Sequence, residues 1–333
     1  MIFKNINFWN VSELEYNENT SSYKFYRLPK ECEKNMLDQG KNMNHSSIGV
    51  ELRFRMIDDE VRLILKASDK PVEAIIYFGS VQGEWHQSSF TITKEKCAIH
   101  LKKLNYDSKN TINSLKKSIY PVDLVRILFN DKEVEFIDVE GQVDPGLDLL
   151  PNYKYLSYGS SITANSITFV PMLSYPYLIA KKFNADLMNL GFPGSCRLEK
   201  EVADVLAYEK EFDFATIELG INIIDDMPIE EFYNRAYYLL DIVSKEHTNS
   251  KIFVIDIYNY FNEICGVNDN KLSKYRNVVK SICQLLNRSN IIYIPAKSIL
   301  KSRMNLTADL VHPDLDGHLE IYHNLSKKIE KYL

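Results

Sequence analysis

Glycine is scarce in this chain, 12 in 333 residues, about half of average usage. A glycine beside a motif therefore carries weight. The five cysteines, Cys32, Cys97, Cys196, Cys265 and Cys283, are odd in number and form no CxxC pair. Neither a disulfide framework nor a zinc knuckle is expected, and a reduced, cytoplasmic protein is the default. Neither charge sign dominates: Lys+Arg number 40 and Asp+Glu 45, a net charge of -5. That balance argues against a nucleic-acid binder with a basic surface. No apolar run approaches the ~18 residues of a membrane span, so no membrane partner is expected. The opening MIFKNINFWNVSELEYNEN has one lysine, broken apolar residues and early acids. It does not read as a secretory signal.

What is present is ordinary for a globular protein: 45% apolar and 26% charged residues, in a length that suits two domains. Up to about residue 140 the pattern is β. Val50, Leu52, Phe54 and Met56 alternate with Glu51, Arg53 and Arg55. Beyond the polar Asp58-Asp59-Glu60, Val61, Leu63 and Leu65 alternate with Arg62 and Lys66. A two-residue period on both sides of a turn predicts a hairpin with one buried face and the charged rows in solvent. Further strands are expected at 73–78, 89–93, 97–101, 123–129 and 133–139, with a turn at Asn130-Asp131. Many short strands without a long amphipathic helix predict a β-sandwich, jelly-roll-like, over residues 1–142. The 21 Tyr and 16 Phe suit its core. Trp85 and His86, in a polar loop, are candidates for stacking on a sugar.

The turn-rich 141–146 joins this half to a different rhythm. Strands near 153–158, 186–190, 213–218, 251–257 and 290–294 alternate with helices near 171–183, 198–208, 229–246, 271–287 and 316–332. Five βα units predict a parallel sheet with helices on both faces over residues 150–333. Ligands bind such sheets at the carboxyl ends of the strands. There lie Gly159-Ser160-Ser161-Ile162-Thr163, Gly191-Phe192-Pro193-Gly194-Ser195-Cys196 and Gly220-Ile221-Asn222. Before the last helix lies Asp309-Leu310-Val311-His312-Pro313. Each alone is an ordinary turn, cap or loop; all four in order at strand ends are not.

Together they resemble the four blocks of the SGNH (GDSL-type) hydrolases: Gly-Asp-Ser, a Gly, Gly-x-Asn and Asp-x-x-His. The resemblance covers about residues 153–333. It implies a flavodoxin-like α/β/α domain with a five-stranded parallel sheet and hydrolysis of esters. It places the nucleophile at Ser161 and matches Gly194, Asn222, Asp309 and His312 to the remaining blocks. Ser160 replaces the usual Asp before the nucleophile, an Asp that carries no proton in the family's mechanism. Ile223 replaces the Asp that often follows the third-block Asn. Some members, including certain carbohydrate deacetylases, also carry an N-terminal β-sandwich.

The implied chemistry is consistent. A serine hydroxyl needs a base to take its proton during attack. His312 is that base and later the acid, and Asp309 holds its tautomer. The N–H groups of Ser161 and Gly194 and the amide of Asn222 would donate to the oxyanion, with no metal or other cofactor. The expected substrate is a short-chain ester, an acetyl ester first, of a carbohydrate or related small molecule. An acyltransferase with the same serine and a glycan-binding protein with an inactive α/β domain are the alternatives. Rival nucleophiles are Ser160 and Cys196; Ser195 and Cys196 lie beside Gly194. His318 is expected on the polar face of the last helix, and His247, His100 and His45 at the surface. The run Asp309, His312, Asp314, Asp316, His318 lacks the spacing of a calcium loop or a His-Glu-x-x-His site. Asp314 reads instead as the cap of the last helix.

Overall fold

A computed structural model describes residues 1–84, 87–104, 118–129, 132–164, 170–266 and 270–333. Trp85, His86 and the Asn130-Asp131 turn lie outside the described residues. The chain falls into two compact units. Met1–Lys30, Asn44–Asn152 and Asn184–Asp186 form one; Glu31–Met43, Tyr153–Phe183 and Leu187–Leu333 form the other.

The first unit holds two antiparallel sheets over one core. One sheet runs Ile2–Phe3, Ile6–Trp9, Glu51–Met56, Leu124–Phe129, Val72–Phe78 and Val81–Gln82. The other runs Cys97–Lys102, Glu60–Ala67, Val134–Glu140, Ser22–Tyr26 and Glu13–Asn17. Phe8, Leu52, Phe54 and Ile127 of the first meet Phe25, Leu63, Leu65 and Phe136 of the second in that core. The period-2 apolar positions thus face inward from both sides, as a sandwich requires.

The expected hairpin does not form. Glu51–Met56 pairs with Ile6–Trp9 and Leu124–Phe129, whereas Glu60–Ala67 pairs with Cys97–Lys102 and Val134–Glu140. The turn between them carries the chain from one sheet to the other. Alternation says that a strand has one buried face; it does not name the partner, and two strands facing each other bury their apolar rows equally well.

Nor is the charged row of Glu51–Met56 solvated throughout. Glu51 and Arg53 are buried. Arg126 donates to Glu51 at 2.7 and 2.8 Å, and Arg53 donates to Glu51 at 2.8 Å and to both oxygens of Asp186 at 2.8 Å. Tyr120 Oη donates to Asp186 at 2.7 Å. Burial would raise the Glu51 carboxyl, but Arg126 and Arg53 hold it well below the carboxylate range. A buried network of this kind survives because each charge is paired and hydrogen-bonded.

The second unit is α/β. Its five-stranded parallel sheet has the order Asp186–Gly191, Lys154–Gly159, Phe214–Glu218, Lys251–Ile255 and Ile291–Ile294. Lys200–Tyr208 packs on Ile229–Glu246, which packs on Asn270–Leu286; Tyr175–Phe183 packs with Leu315–Ile329. The two helix groups give three layers. Every residue of Phe214–Glu218 is buried, as a central parallel strand covered on both faces requires. The strand order reverses between Lys154–Gly159 and Phe214–Glu218, the switch point where such sheets bind ligands. Among the described residues, no helix is long and apolar enough to cross a membrane.

Candidate active site

Lys154–Gly159 ends in a sharp turn into the short helix Ser161–Ala164. Ser160 O accepts Ala164 N–H at 3.0 Å and Ser160 Oγ accepts Ile162 N–H at 3.1 Å. Ser160 therefore caps the turn, and Ser161 N–H falls among the donors that a first helical turn leaves free. Gly159 is required by space. A Cβ there would lie 2.3 Å from Thr163 Oγ1 and 2.6 Å from a carboxylate oxygen of Glu218.

The second strand end is pinned against this turn. Phe192 N–H donates to Gly159 O at 2.7 Å, and Asn189 Nδ2 donates to Thr163 O at 2.9 Å. A Cβ on Gly191 would lie 2.4 Å from the backbone nitrogen of Ala164. Gly191→Ala must therefore push the serine turn away. It is expected to cost about 1–3 kcal/mol in urea unfolding and to depress turnover with it. Ser195 N–H donates to Phe192 O at 3.0 Å, with Pro193 and a positive-φ (65°) Gly194 between them. That is the residue pattern of a type II turn. Gln39 Nε2 donates to Pro193 O at 3.2 Å.

The third strand end supplies Gly220 and Asn222. Gly220 has φ 113°, and a Cβ there would strike Ile257 Cγ1 at 2.6 Å. Cys196 N–H donates to Asn222 Oδ1 at 3.2 Å, which fixes the amide by its oxygen and leaves Nδ2 on the opposite side.

The last loop presents His312. Asp309 Oδ1 accepts the Thr307 hydroxyl at 2.8 Å, Val311 N–H at 2.8 Å and His312 N–H at 3.0 Å. Asp309 Oδ2 lies 2.7 Å from His312 Nδ1. The three-residue offset folds the carboxylate back beside the ring, with Leu310 at φ 57° making the bend. Burial would raise the Asp309 carboxyl, but the hydrogen bonds from His312, Val311 and Thr307 outweigh it and hold the group well below the carboxylate range. An ionised Asp309 only accepts, so Nδ1 carries the hydrogen and Nε2 is left as an acceptor. Ser161 Oγ lies 2.7 Å from Nε2. Ser161, His312 and Asp309 thus form one hydrogen-bonded chain. Gly194 and Asn222 meet at the neighbouring loops, joined through Cys196.

The other candidates go elsewhere. The Ser160 hydroxyl lies on Glu218, at 2.8 and 3.0 Å from its two oxygens. Ser195 Oγ donates to Pro193 O at 3.2 Å. Cys196 is buried, and burial together with Glu218 pushes its thiol well up, so it is no thiolate. His318 corrects an expectation: it lies in the last helix but inside, 1% exposed. Its ring stacks on Tyr175 and Nδ1 accepts Tyr175 N–H at 3.4 Å. Burial, and then His312, push it down to about 4, so it is neutral. His247 is half-buried rather than free at the surface: Nε2 is 3.0 Å from Leu206 O and the ring packs on Phe212. His45 packs on Tyr26, and His100 is exposed. Asp314 accepts Gly317 N–H at 2.8 Å as the N-cap of Leu315–Ile329. Among the described residues no three His, Cys, Asp or Glu side chains gather as a metal site.

The sequence reading misses Glu218. It stands in an apolar strand two residues before Gly220, and a single charge inside such a strand is the signal that marks it. Burial pushes its carboxyl up, against the pull of hydrogen bonds from Ser160 and Thr163.

Residues 154–330, more than half of the chain, match the model of the GDSL-like lipase/acylhydrolase family. The chain belongs to that family. The matched range contains the serine turn, the Gly194 and Gly220–Asn222 loops and the Asp309–His312 loop just described. A multidomain esterase of Ruminococcus flavefaciens is 27% identical over 123 residues, 36% of this chain and 16% of that protein. The match thus spans a small part of its curated relative. Among solved structures, the salicylyl-acyltransferase SsfX3 from a tetracycline biosynthetic pathway aligns with TM-score 0.76 and 14% identity, over 98% of this chain and 95% of its own. A family two carbohydrate esterase from Cellvibrio japonicus aligns with TM-score 0.62 and 14% identity, over 99% and 95%. At these identities the likeness establishes the two-part fold that this GDSL-like chain shares with them.

Proposed function

We propose that the protein cleaves short-chain esters, acetyl esters first among them, of carbohydrates or related small molecules through an acyl-enzyme on Ser161. The hydrogen-bonded chain from Ser161 through His312 to Asp309 carries this reading. His312 Nε2 takes the hydroxyl proton as Oγ bonds to the ester carbon, then returns it to the leaving alcohol. Water deprotonated by the same nitrogen then releases the acid and restores Ser161. The oxyanion is held by Ser161 N–H, Gly194 N–H and Asn222 Nδ2; removing one such donor costs about 100–1,000-fold in rate. Asn222→Ala should therefore lower kcat by that factor with little change in KM.

The carbohydrate assignment leans on the esterases of like fold and on the antiparallel sheets that precede the catalytic unit. Acetate release from acetylated xylo-oligosaccharides and from p-nitrophenyl acetate and butyrate tests it. Release that Ser161→Ala abolishes supports the reading, and the acetate-to-butyrate ratio bounds the acyl pocket. Release equal to the Ser161→Ala background contradicts it and leaves a glycan-binding role. The acyltransferase of like fold supports a second acceptor. If the acyl-enzyme is passed to alcohols, added glycerol must yield acyl-glycerol at the expense of free acid.

A further inference from the structure

Glu218 is buried at the end of Phe214–Glu218, the neighbour of the strand that leads to Ser161. Three donors converge on its carboxylate: Ser160 N–H at 2.8 Å, the Ser160 hydroxyl at 2.8 Å and the Thr163 hydroxyl at 3.1 Å. Ser160 Oγ already accepts Ile162 N–H, so its hydrogen goes to Glu218. Thr163 Oγ1 lies 2.8 Å from Tyr175 Oη and can accept that hydroxyl while donating its own hydrogen to Glu218. All three donors fall on Oε2, and Oε1 lies 3.0 Å from the same Ser160 hydroxyl; an oxygen that accepts three donors is matched as that of a carboxylate, which only accepts. Gly159 leaves the room it occupies.

A buried carboxylate is costly, and a well-packed neutral residue would avoid the cost. His312, hydrogen-bonded to the serine that this turn carries, is the ionisable side chain whose cation would favour the Glu218 carboxylate. Attack by Ser161 turns that imidazole into a cation.

We propose that Glu218 is a positioning residue for the reaction: its carboxylate fixes the serine turn through Ser160 and Thr163 and favours the His312 imidazolium that forms as Ser161 attacks. This rests on Ser161 being the nucleophile. Glu218 touches no reacting atom. It braces, from the adjacent strand, the turn that carries Ser161. The other titratable groups near it do not change charge near neutral pH. Burial, with Glu218 adding to it, pushes Cys196, Tyr175 and Tyr258 up, and burial pushes His318 down to about 4.

The test is steady-state kinetics across pH of Glu218→Gln, Ser160→Ala and Thr163→Val beside the parent, on p-nitrophenyl acetate. The rate of Ser161 labelling by a fluorophosphonate is the second readout. Glu218→Gln keeps the shape and removes the charge. It should lower kcat about tenfold or more, leave KM within about twofold, and move the acid limb of kcat/KM to lower pH by roughly half a unit. The direction follows from sign: without the carboxylate the cation is less favoured, so the base persists to lower pH. Ser160→Ala and Thr163→Val leave the charge and should lower kcat several-fold with the limb in place. Glu218→Gln with kcat within twofold and an unmoved limb overturns the proposal. If that variant does not fold, parent-like kcat in both hydroxyl variants overturns it instead. Turnover or labelling that survives Ser161→Ala overturns the nucleophile assignment; Ser161-dependent turnover untouched in Glu218→Gln overturns only the role of Glu218.

Discussion

Replacing Ser161 by alanine is expected to abolish ester turnover, a loss on the order of 10⁶-fold in kcat for a nucleophile that acts as one unit with its base. His312→Ala should fall nearly as far, and the double variant no further. The reason is the 2.7 Å contact between Ser161 Oγ and His312 Nε2. Either partner without the other leaves an inactive hydroxyl or an idle base. What remains would come from binding and the oxyanion donors alone, about 10³–10⁴-fold over water. The folded state should change little, because Ser161 is small and its hydroxyl serves His312 rather than the core. Kinetics with matched melting curves check both halves. Substantial turnover in Ser161→Ala would place the chemistry elsewhere.

Asp309→Asn is expected to lower kcat about 10³–10⁴-fold while leaving the fold intact. An asparagine amide can donate to His312 Nδ1, which favours the tautomer whose Nε2 carries the hydrogen, and that nitrogen can no longer accept from Ser161. The carboxyl of Asp309 lies well below its ordinary 3.8 because hydrogen bonds from His312, Val311 and Thr307 outweigh its burial. The sign is that of an acid lowered by folding. The bracing of the 307–312 loop is in place above the unfolded value and is lost only as pH falls through the folded one. Activity lost on acidification between pH 7 and 5 is therefore not due to Asp309. An Asp309→Asn enzyme within tenfold of the parent would show that the carboxylate does not set the tautomer.

The α/β half was legible because its signals are local. Helix Ile229–Glu246 coincides with the 229–246 expectation, since its apolar stripe is long and Pro228 precedes it. Three of the four blocks stand out because glycine is rare, and at Gly159 and Gly191 a Cβ would strike a neighbour; the Asp309–His312 block has no glycine and shows only by its spacing before the last helix. The five-stranded parallel sheet and the antiparallel sheets before it are as expected.

What escaped depends on partners distant in sequence. Glu51 and Arg53 read as solvent-facing, and only the arrival of Arg126 and Asp186 makes their burial tolerable. The strands around 50–56 and 61–66 were correctly strands, but their partners are distant in sequence: Ile6–Trp9 and Leu124–Phe129 for the first, Cys97–Lys102 and Val134–Glu140 for the second. Helix Asp38–His45 carries DQGKNMNH, too polar to announce itself by apolar spacing. His318 looked polar because histidine usually is; Tyr175 and the helix interior make it a neutral core residue.

The most direct measurement is covalent labelling with a fluorophosphonate followed by peptide mass spectrometry. One adduct is expected, on the peptide holding Ser161, slowed in His312→Ala and absent from Ser161→Ala. An adduct on Ser160 or Cys196, or ester hydrolysis that continues after Ser161 is fully labelled, would contradict the assignment of the nucleophile.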